Sequence, residues 1–438
     1  MKDAAINIVR RLRDAGHTAY FAGGCVRDMV RGVTPHDFDI ATTATPEQVQ
    51  ALFLKTVPVG VQFGVVIVLE AGHQFEVATF RSDEAYVDGR RPTGVRYGSA
   101  EEDAQRRDFT VNGLFFDPLA GQIIDFVGGQ ADIEQKIIRN IGEPRHRFTE
   151  DKLRLLRCVR FAANLGYEIE TATFAAVKEM AAEIRVVSAE RIRDELVKIF
   201  TRPNAGRGLV LLEKSGLLRE VLPEVAAMKG VEQPPEFHPE GDVFEHVRLM
   251  LDVLPPEPGV VLAFSVLLHD VGKPPTFVIA DRIRFNEHDR VGAEMTADIL
   301  RRLRFSNDEI ARIVTCVAEH MRVRHVKEMR PSKLKRMLAR PTFRDELELH
   351  RLDCLASHGN IDNYTFLCAK AVELPPEVLK PAPLLTGHDL LALGVKPGPL
   401  VGRILREAEE LQLEEQLRSR EEALAFAKRR CAELTSAA

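Results

Sequence analysis

The spacing of apolar residues divides the chain into two parts with different periodicity. In the first part apolar and polar residues alternate with period two, as in VVIVL (65–69) and QFEVATF (74–80), and this alternation predicts strands. Short helical patterns separate those strands, including one that follows Thr45-Pro46. From about Thr149 onward the apolar residues follow a helical period, with almost no strand pattern. The sequence therefore predicts an α+β head with a small mixed sheet and helices, followed by an all-α C-terminal region.

Proline-rich stretches indicate further boundaries within the helical part. Two such stretches lie at residues 222–241 and 372–387, and prolines at this density interrupt helices. A chain of 438 residues is also expected to form about two to four domains. We predict four segments, which are residues 1–140, 141–225, 226–375 and 376–438.

Composition limits the classes of protein that this sequence can encode. Hydrophobic residues make up 45% and charged residues 29%, which is typical of a globular protein and excludes a mostly disordered chain. No apolar run reaches the length of a membrane span, and the N-terminal pattern is not that of a signal peptide. The six cysteines contain no CxxC pair, which argues against a zinc site or a disulfide framework. We therefore expect a cytoplasmic protein with reduced cysteines and no membrane partner.

The net charge of the chain bears on nucleic-acid binding. At −5 it shows no global excess of basic residues, so any contact with RNA has to be local. Two stretches rich in arginine or lysine are candidates, at residues 145–160 and 322–340. The second stretch is equally compatible with a solvated helix face.

The stretch YFAGGCVRDMVRGVTPHDFDIATTATPEQV carries the first candidate chemistry. Gly23 and Gly24 stand between a predicted strand and a predicted helix, where a backbone without side chains can approach phosphate oxygens. Asp37 and Asp39 are two apart on a predicted strand, so both carboxylates leave the same face, roughly 6–7 Å apart. Glu76 on a later strand is a candidate third carboxylate. Such a set can bind two Mg²⁺ ions that activate a hydroxyl and hold a triphosphate for in-line displacement.

Each of these features has an ordinary structural explanation when it is taken alone. Asp37 could cap a turn after Pro35, and two aspartates on a strand edge are more often solvated than bound to metal. The combination of a glycine pair, Arg27-Asp28 and two alternate aspartates at this spacing favours the metal site. We therefore predict catalytic roles for Asp37, Asp39 and Glu76.

Several motifs in this chain resemble those of one known family. GGCVRD followed by DFDIATTATPEQV is similar to the signature of the bacterial and eukaryotic CCA-adding enzymes (class II tRNA nucleotidyltransferases) and of the bacterial poly(A) polymerases. Further along, RRDFTVN, GQIIDFVGGQADI, EDKLRLLRCVRFAANLGY and SAERIRDELVKIF resemble other motifs of that family, in the same order. The resemblance implies a polymerase-beta-like head, a template-independent nucleotidyltransferase activity, and Mg²⁺ at Asp37 and Asp39.

The resemblance also implies roles for residues outside the carboxylate group. Arg107, Asp108 and Asn112 would contact the ribose 2′-hydroxyl and help to position the triphosphate, and Arg27 would approach phosphate. The loop at residues 82–105 would be mobile and needed for the change from C to A addition, although its composition equally fits an ordinary surface loop. The full set of predicted nucleotide-binding residues is Gly23, Gly24, Arg27, Arg107, Asp108, Asn112, Asp151, Arg154, Arg157 and Arg160.

Asp151 and Arg154 are candidates for reading the base without a template. They are three apart on a predicted helix, so their side chains emerge on one face and offer an acceptor beside donors. Cytosine and adenine both present an amino group beside a ring nitrogen, whereas uracil and guanine present a carbonyl that would oppose the carboxylate. The two residues can therefore accept CTP and ATP and reject UTP and GTP, as the resemblance implies. A surface ion pair between them is the alternative.

The helical part contains a second set of residues that can bind metal. Imidazoles and carboxylates on successive helices can hold one or two divalent ions that activate water for phosphoester hydrolysis, although each histidine alone is more often a packing residue. Their order, H, HD, H, H, D with a lysine after HDVG, resembles the histidine-aspartate phosphohydrolase domain found in one subgroup of CCA-adding enzymes. Imidazole ligands favour Ni²⁺, Mn²⁺ or Co²⁺ over Mg²⁺. The predicted ligands are His246, His269, Asp270 and Asp353, with His288 and His320 as further candidates.

Together these patterns predict addition of C and A nucleotides to the 3′ end of tRNA, with CTP and ATP as substrates and pyrophosphate as product. The segments would be a nucleotidyltransferase head (1–140), a neck with the base-reading helix (141–225), a hydrolase-like domain (226–375) and a tRNA-contacting tail (376–438). Three alternatives remain open: an A-adding enzyme or poly(A) polymerase on the same scaffold, a phosphohydrolase with a degenerate head, and a non-catalytic RNA-binding protein. The intact head motifs argue against the second, and the third would not need the carboxylates. The sequence defines no oligomeric state.

Overall fold

The structure is a computed structural model, and it describes residues 1–58, 64–83, 95–236 and 238–436. The chain forms two compact units, the first made of residues 1–227 with 302–305 and the second of residues 228–301 with 306–438. The predicted mobile loop falls mainly on residues 84–94, which lie outside the described residues. Within the described ranges, no helix is long and apolar enough to cross a bilayer.

The first unit begins with a head in which helices flank a mixed sheet. Its elements are α1 (Lys2–Asp14), β1 (Ala19–Ala22), α2 (Gly24–Val30), β2 (Ile40–Thr42), α3 (Pro46–Leu52), β3 (Thr56–Val57), β4 (Val65–Glu70), β5 (His73–Thr79), β6 (Arg81–Asp83), β7 (Val95–Tyr97), α4 (Ala100–Gln105), a 3-10 turn (Thr110–Asn112), β8 (Leu114–Asp117), β9 (Gln122–Asp125), α5 (Gly129–Gln135) and β10 (Ile137–Ile138). The sheet has the order β3-β4-β5-β2-β1-β8-β9. β2 and β5 pair in parallel, whereas the other neighbours are antiparallel. β2 therefore lies beside the last three residues of β5, with Ile40 opposite Val77.

Alternating apolar residues bury one side of the head sheet. Phe21, Ile40 and Phe75 are buried on this side, whereas Glu76, the neighbour of Phe75 on β5, is exposed. Burying one such side chain stabilises the fold by about 1.5–3 kcal/mol. Because successive strand residues point to opposite faces, the same alternation leaves the acidic positions on the side that faces solvent.

The rest of the first unit is a group of short helices. Its elements are α6 (Pro144–Glu150), α7 (Arg154–Leu165), β11 (Glu168–Ile169), α8 (Thr171–Met180), a 3-10 turn (Ala181–Val186), α9 (Ala189–Phe200), α10 (Ala205–Lys214), α11 (Leu217–Val221) and α12 (Pro223–Ala226). α7 packs on α9 and α10 through a face that includes the buried residues Leu155, Leu156 and Val159. It ends at Gly166, whose φ of 68° is a left-handed conformation that glycine adopts without strain. This packing sets the positions of the arginines on α7.

The second unit is mostly helical. Its elements are α13 (Val243–Asp252), α14 (Gly259–Leu268), a 3-10 turn (Pro274–Thr276), β12 (Phe277–Ile279), β13 (Ile283–Phe285), α15 (His288–Arg302), α16 (Asn307–Glu319), a 3-10 segment (His320–Glu328), α17 (Pro331–Leu338), α18 (Phe343–Ala356), α19 (Asp362–Glu373), α20 (Pro376–Leu379), α21 (Gly387–Ala392), α22 (Pro399–Leu413) and α23 (Arg420–Ser436). α14 is apolar along its whole length and packs against α13, α16 and α18. A helix that is apolar on all sides belongs in a core. His269 and Asp270 follow α14 directly, and both are therefore buried.

The predicted fold class is confirmed, because the head contains a mixed sheet with helices and the remainder is predominantly helical. Three local predictions are wrong. The strand predicted for DFDIAT begins only at Ile40, and the helix predicted through Asp151 is interrupted at that residue. The second unit also contains the antiparallel hairpin β12–β13, although almost no strand was expected there. Its two strands have three residues each, which is too short for a period-two pattern to be recognised.

Candidate functional site

Asp37 and Asp39 lie on the extended segment that leads into β2. Phe38, between them, is buried and packs against Phe21, with ring centroids 5.1 Å apart. The backbone carbonyl of Asp39 accepts a hydrogen bond from Ala22 at 3.0 Å, which ties the segment to the end of β1. Since the side chain of Phe38 points into the core, those of Asp37 and Asp39 share the opposite, solvent-facing side. The relation between the two carboxylates that the sequence predicted is therefore present, although the segment precedes the strand.

Glu76 brings a third carboxylate to the same place. β2 and β5 are in register at Ile40 and Val77, so one residue earlier Asp39 lies beside Glu76 on the adjacent strand. Burial, followed by the charges of Glu76 and Asp37, raises the pKa of Asp39 to about 6, while Arg107 opposes the rise. Carboxylates that crowd one another in this way favour a bound cation. Three oxygen donors at the central strands β2 and β5 fit Mg²⁺, which prefers oxygen ligands.

Gly23 allows the backbone to pass close to an arginine next to these carboxylates. It precedes α2 with a φ of 72°, and a Cβ atom there would lie 2.9 Å from Nη1 of Arg107. Any other residue would thus be strained in its backbone and would also displace the guanidinium. Gly23 and Gly24 both line the cavity that contains the three carboxylates.

Two arginines beside the carboxylates are held in place by hydrogen bonds. Arg27 donates through Nη1 to Oδ1 of Asn112 at 2.8 Å. Arg107 donates through Nε and Nη2 to Oδ2 of Asp103 at 3.1 and 2.9 Å, and through Nη1 to the Asn112 carbonyl at 3.2 Å. Asp103 is buried, so this ion pair is shielded from water. Both guanidinium groups are therefore oriented before any phosphate arrives.

Asp108 connects the head with α7. Its Oδ2 accepts a hydrogen bond from Nε of Arg157 at 2.8 Å, and its Oδ1 accepts one from Nδ2 of Asn112 at 3.1 Å. Burial raises the pKa of Asp108, but Arg157 and Asn112 outweigh it and hold that pKa well below the ordinary value. Asp108 therefore stays ionised and orients Arg157 and Asn112, a role that the resemblance did not imply.

The chain breaks its helical course at Asp151, between α6 and α7. Asp151 has extended backbone angles (φ −145°, ψ 104°), and its Oδ1 accepts a hydrogen bond from the Leu153 amide at 3.1 Å. A short aspartate side chain that bonds the backbone two residues ahead competes with helix continuation, which explains why the predicted helix is interrupted. Oδ2 of Asp151 accepts a hydrogen bond from Nη2 of Arg191 at 2.8 Å. Asp151 thus pairs with Arg191 on α9.

Arg154 is the first residue of α7, and its side chain is buried. It donates through Nη1 to Oε2 of Glu150 at 2.7 Å and to the Arg147 carbonyl at 3.0 Å. It also donates through Nη2 to the Arg106 carbonyl at 3.3 Å. Arg154 and Asp151 both line the cavity, each held by a partner of its own, and neither is bonded to the other in a surface ion pair.

Three guanidinium groups surround the ring of Phe161. The Cζ atoms of Arg160, Arg157 and Arg27 lie 4.0, 5.3 and 5.6 Å from its centroid, distances at which a cation is attracted to an aromatic ring. Arg160 is also 2.6 Å from the buried Glu195 on α9. Arg160 is not among the residues that line the cavity, so the structure does not bring this predicted nucleotide-binding residue to it.

One cavity of about 620 Å³ in the first unit joins these groups. All the predicted catalytic and nucleotide-binding residues except Arg160 line it. The sequence analysis did not select Arg106 or Phe161, which line it as well. The position of Phe161 could have indicated its role, because a residue four places after Arg157 lies on the same face of a helix. The cavity thus places carboxylates that can bind a metal ion, arginines that can bind phosphate and polar groups that can contact a base around one space.

The predicted ligands of the second site also come together, within the second unit. Nε2 of His246 is 3.1 Å from Oδ1 of Asp353, and Nε2 of His269 is 3.2 Å from Oδ2 of Asp270. Oδ1 of Asp270 lies 3.7 Å from Nε2 of His288 and 4.0 Å from Nε2 of His320. Asp270 therefore lies between two sets of possible metal ligands. We call His246, His269 and Asp353 the His246 group, and His288 and His320 the His288 group.

The tautomers of these histidines indicate a cation. Nδ1 of His288 and Nδ1 of His320 lie 2.8 and 2.6 Å from the carbonyls of Phe285 and Val317. Because a carbonyl only accepts, both protons belong on Nδ1, and both Nε2 atoms present lone pairs. Those two Nε2 atoms face each other at 3.3 Å. Burial, followed by the nearby His269 and His288, lowers the pKa of His320 to about 3, so a proton does not relieve the repulsion. The donor set suits a divalent metal bound by nitrogen and oxygen.

Two cationic residues complete the surroundings of Asp270. Lys273 is buried and lies 2.7 Å from Oδ2 of Asp270, and it donates to Oε1 of Gln233 at 2.5 Å. Burial raises the pKa of Asp270, but His269 and Lys273 outweigh it and hold the pKa well below its ordinary value. The adjoining cavity has about 270 Å³, and Arg324 is part of its lining. A site with this charge suits a small phosphate ester.

We expect Gly272→Ala to destabilise the second unit by about 1–3 kcal/mol, because it overpacks the start of α15. A Cβ atom at Gly272 would lie 2.1 Å from the His288 carbonyl and 2.6 Å from the Gly292 amide nitrogen, and backbone atoms cannot move aside without shifting the helix. Chemical denaturation followed by circular dichroism measures the effect. Gly387→Ala is the matched control, since its Cβ atom would meet nothing within 4 Å. Equal unfolding midpoints for the two variants would contradict this assignment.

Three family models match consecutive parts of the chain. Residues 19–139 match the poly(A) polymerase head domain, residues 166–229 match the probable RNA and SrmB-binding site of polymerase A, and residues 290–427 match domain 2 of tRNA nucleotidyltransferase. The first match contains the three carboxylates and the arginines beside them.

Sequence and structural relatives point to the same family. The CCA-adding enzyme of Streptococcus pyogenes serotype M3 is 45% identical over 206 residues, which is 47% of this chain and 51% of that protein. The Streptococcus mutans enzyme is 44% identical over the same length, so the chain spans about half the length of the curated relatives it matches. A crystal structure of the Bacillus stearothermophilus CCA-adding enzyme in complex with CTP superposes with a TM-score of 0.78 at 25% identity, covering 100% of this chain and 99% of that one. With its three carboxylates and its arginine-lined cavity, the chain is similar to the poly(A) polymerase head domain over residues 19–139, and to CCA-adding enzymes in sequence over about half its length and in fold over all of it.

Proposed function

We propose that this protein adds C and A nucleotides to the 3′ end of tRNA without a template, using CTP and ATP and releasing pyrophosphate. The observation that carries the proposal is the single cavity in which Asp37, Asp39 and Glu76 face the arginines of the head and the polar residues between α6 and α7. The two streptococcal relatives and the Bacillus stearothermophilus protein are CCA-adding enzymes, and the last was solved with CTP. We therefore assign this chain the same substrates, with tRNA as its RNA partner.

The three carboxylates would hold Mg²⁺ in this reaction. When bound, the metal would supply Lewis-acid activation of the primer 3′-hydroxyl and neutralise charge on the triphosphate. Arg27 and Arg107 orient the phosphates through guanidinium groups that are already fixed by Asn112 and Asp103. Because these partners are in place in the folded protein, binding a triphosphate requires little reorganisation of the side chains.

Base selection follows from how Asp151 is held. Arg191 donates a hydrogen bond to one carboxylate oxygen of Asp151, and the Leu153 amide donates one to the other. Rotation of the side chain away from the cavity would break both hydrogen bonds. A fixed acceptor can receive the amino group of cytosine or adenine, whereas it opposes the carbonyl of uracil or guanine. Arg154, fixed by Glu150, supplies donors close by. Each wrong contact costs about 1–3 kcal/mol when a buried polar group loses its partner.

We expect Asp151→Ala and Arg154→Ala to relax the preference for CTP and ATP over UTP and GTP by about 10–100-fold, since the rejecting contact is lost while the phosphate contacts remain. Competition among the four nucleotides on a tRNA that lacks CCA measures the preference. Arg219→Ala is a control, because Arg219 is exposed on α11. A uniform loss of rate with unchanged preference would mean that these residues only support the fold.

The choice of RNA substrate tests the proposed function against the closest alternatives. The purified protein is incubated with tRNA lacking CCA, tRNA lacking only the final A, and an unrelated RNA. We expect addition of CCA to the first, of A to the second, and no processive tailing of the third. Extension of only the second RNA would identify an A-adding enzyme, and long tails made from ATP on the third would identify a poly(A) polymerase.

A second candidate function is metal-dependent phosphoester hydrolysis in the second unit. The observation that favours it is the convergence of histidine lone pairs on Asp270, described above for the His288 group. His246, His269, Asp270 and Asp353 would hold one ion, and Asp270, His288 and His320 a second. A nitrogen-rich donor set favours Ni²⁺, Mn²⁺ or Co²⁺, and a bound ion of this kind would supply an activated water. Lys273 would stabilise the negative charge of a phosphate ester from its buried position beside Asp270.

A further inference from the structure

The histidines of the second unit are oriented in two different ways. Nδ1 of His269 lies 2.9 Å from the Val266 carbonyl, and the Nδ1 atoms of His288 and His320 are likewise held by the carbonyl three residues earlier. His246 is the exception within this set. Its Nδ1 lies 2.6 Å from a carboxylate oxygen, Oε1 of Glu240.

Glu240 is itself fixed and buried. Its side chain is 4% exposed, and the same Oε1 lies 2.9 Å from Nδ1 of His238. The rings of His238 and His246 are nearly perpendicular, with centroids 4.9 Å apart. The neighbouring backbone is also tied down, because the Gln233 amide donates to the Gly241 carbonyl at 3.0 Å. Glu240 is therefore presented to His246 by a constrained turn.

We propose that Glu240 is a positioning residue that keeps the proton of His246 on Nδ1 and directs the Nε2 lone pair to a metal ion shared with His269, Asp270 and Asp353. The proposal rests on the metal centre of the second candidate function. A carboxylate behind a metal-binding imidazole strengthens the metal–nitrogen bond more than a neutral carbonyl does. The ion of the His246 group should therefore bind more tightly than the ion of the His288 group, and the two should load in sequence.

The competing assignment makes Glu240 a metal ligand. Ligand atoms of His238, Glu240 and His246 lie within 4.8 Å of one another, so they could surround an ion themselves. In that arrangement Nδ1 of His246 would have to lose its proton, and the proton of a neutral ring would then lie on Nε2, so Nε2 could not bind a metal ion. Nε2 of His246 lies 3.1 Å from Asp353, and His246, His269 and Asp353 form a second group of possible metal ligands, which favours the positioning role.

Cobalt binding to the full-length, metal-free protein tests the proposal. The visible absorption of Co²⁺ reports each binding step, and the step that persists in His288→Ala identifies the His246 group. We expect Glu240→Ala to weaken that step by about 10–100-fold and to leave the other step unchanged. Glu240→Gln should lose less affinity than Glu240→Ala, because its amide oxygen still accepts the Nδ1 proton but carries no charge. Glu236→Gln, at an exposed position of the same segment, is the matched control.

Each outcome supports or overturns the proposal. Equal affinity in the wild type and Glu240→Ala would show that Glu240 has no positioning role. Loss of a full equivalent of Co²⁺ in both Glu240 variants would identify it as a ligand instead, and wild-type protein that binds no Co²⁺ would overturn the metal centre together with this proposal. If the wild type binds Co²⁺ but hydrolyses no phosphoester, only the second candidate function fails. Circular dichroism of Glu240→Gln separates these effects from unfolding.

Discussion

Asp37→Ala or Asp39→Ala is expected to lower the rate of nucleotide addition at least about 10³-fold, with little loss of stability. The loss follows because the metal would lose an oxygen ligand at the position where the triphosphate is attacked. The fold should persist because Phe38, between the two aspartates, remains buried against Phe21. Primer extension on tRNA lacking CCA, together with circular dichroism, measures both properties.

Asp14→Asn is a suitable control for these variants, since Asp14 is an exposed carboxylate at the end of α1. Burial and then the charges of neighbouring carboxylates raise the pKa of Asp39, and removing either aspartate reduces the repulsion among these carboxylates, so we expect a small gain in stability. A stability gain combined with a large loss of activity is the pattern of a functional site. Near-normal addition by either variant would contradict the metal assignment.

The double variant His269→Ala with Asp270→Ala is expected to abolish hydrolysis of phosphomonoesters or 2′,3′-cyclic nucleotides and to leave nucleotide addition largely intact. Asp270 lies between the two groups of histidines, so its removal takes a ligand from both proposed ions. The residues of the two sites belong to separate units of the chain. The measurement is release of phosphate, or opening of the cyclic ester, in the presence of Ni²⁺, Mn²⁺ or Co²⁺.

Loss of Asp270 leaves the buried Lys273 next to Gln233 but without the carboxylate that neutralises its charge, and a buried charge without its counterion is costly. His269→Ala alone is therefore the control that keeps this ion pair. If the wild type hydrolyses neither kind of substrate with any of the three metals, the proposed hydrolase function is wrong. If the double variant remains folded but adds no nucleotides, the two sites are coupled and their separation is wrong.

The sequence predicted the fold class because each region repeats its own periodicity over many residues. VVIVL and QFEVATF became β4 and β5, and the long helical pattern after Thr149 became a series of helices. Short elements escaped prediction. The hairpin β12–β13 has too few residues to establish a period, and pairing between distant or adjacent short strands depends on contacts that a local pattern does not contain. The division into four segments stays a prediction.

The candidate site could be predicted where chemistry depends on spacing along the chain. Asp37 and Asp39 follow from period-two alternation, and Glu76 from its place on a later strand. The partners of these residues could not be predicted in the same way. Asp151 pairs with Arg191, forty residues away, and Arg157 pairs with Asp108 at a separation of forty-nine. The first pair forms when α9 packs beside the start of α7, and the second when α7 packs against the head. In the case of Asp151 the interaction accompanies an interruption of the helix that the local pattern favoured.

The orientation of the histidines has a consequence for how the second unit tolerates substitution during evolution. His269, His288 and His320 are held by main-chain carbonyls of Val266, Phe285 and Val317, and every amino acid has a carbonyl. The side chains at those three positions can therefore be substituted without loss of the hydrogen bonds to the imidazoles, provided that the backbone conformation is kept. The neighbourhood of His246 has no such freedom, because its orienting group is a side chain. Homologous chains that vary freely around three of the histidines should thus still vary little at the position of Glu240.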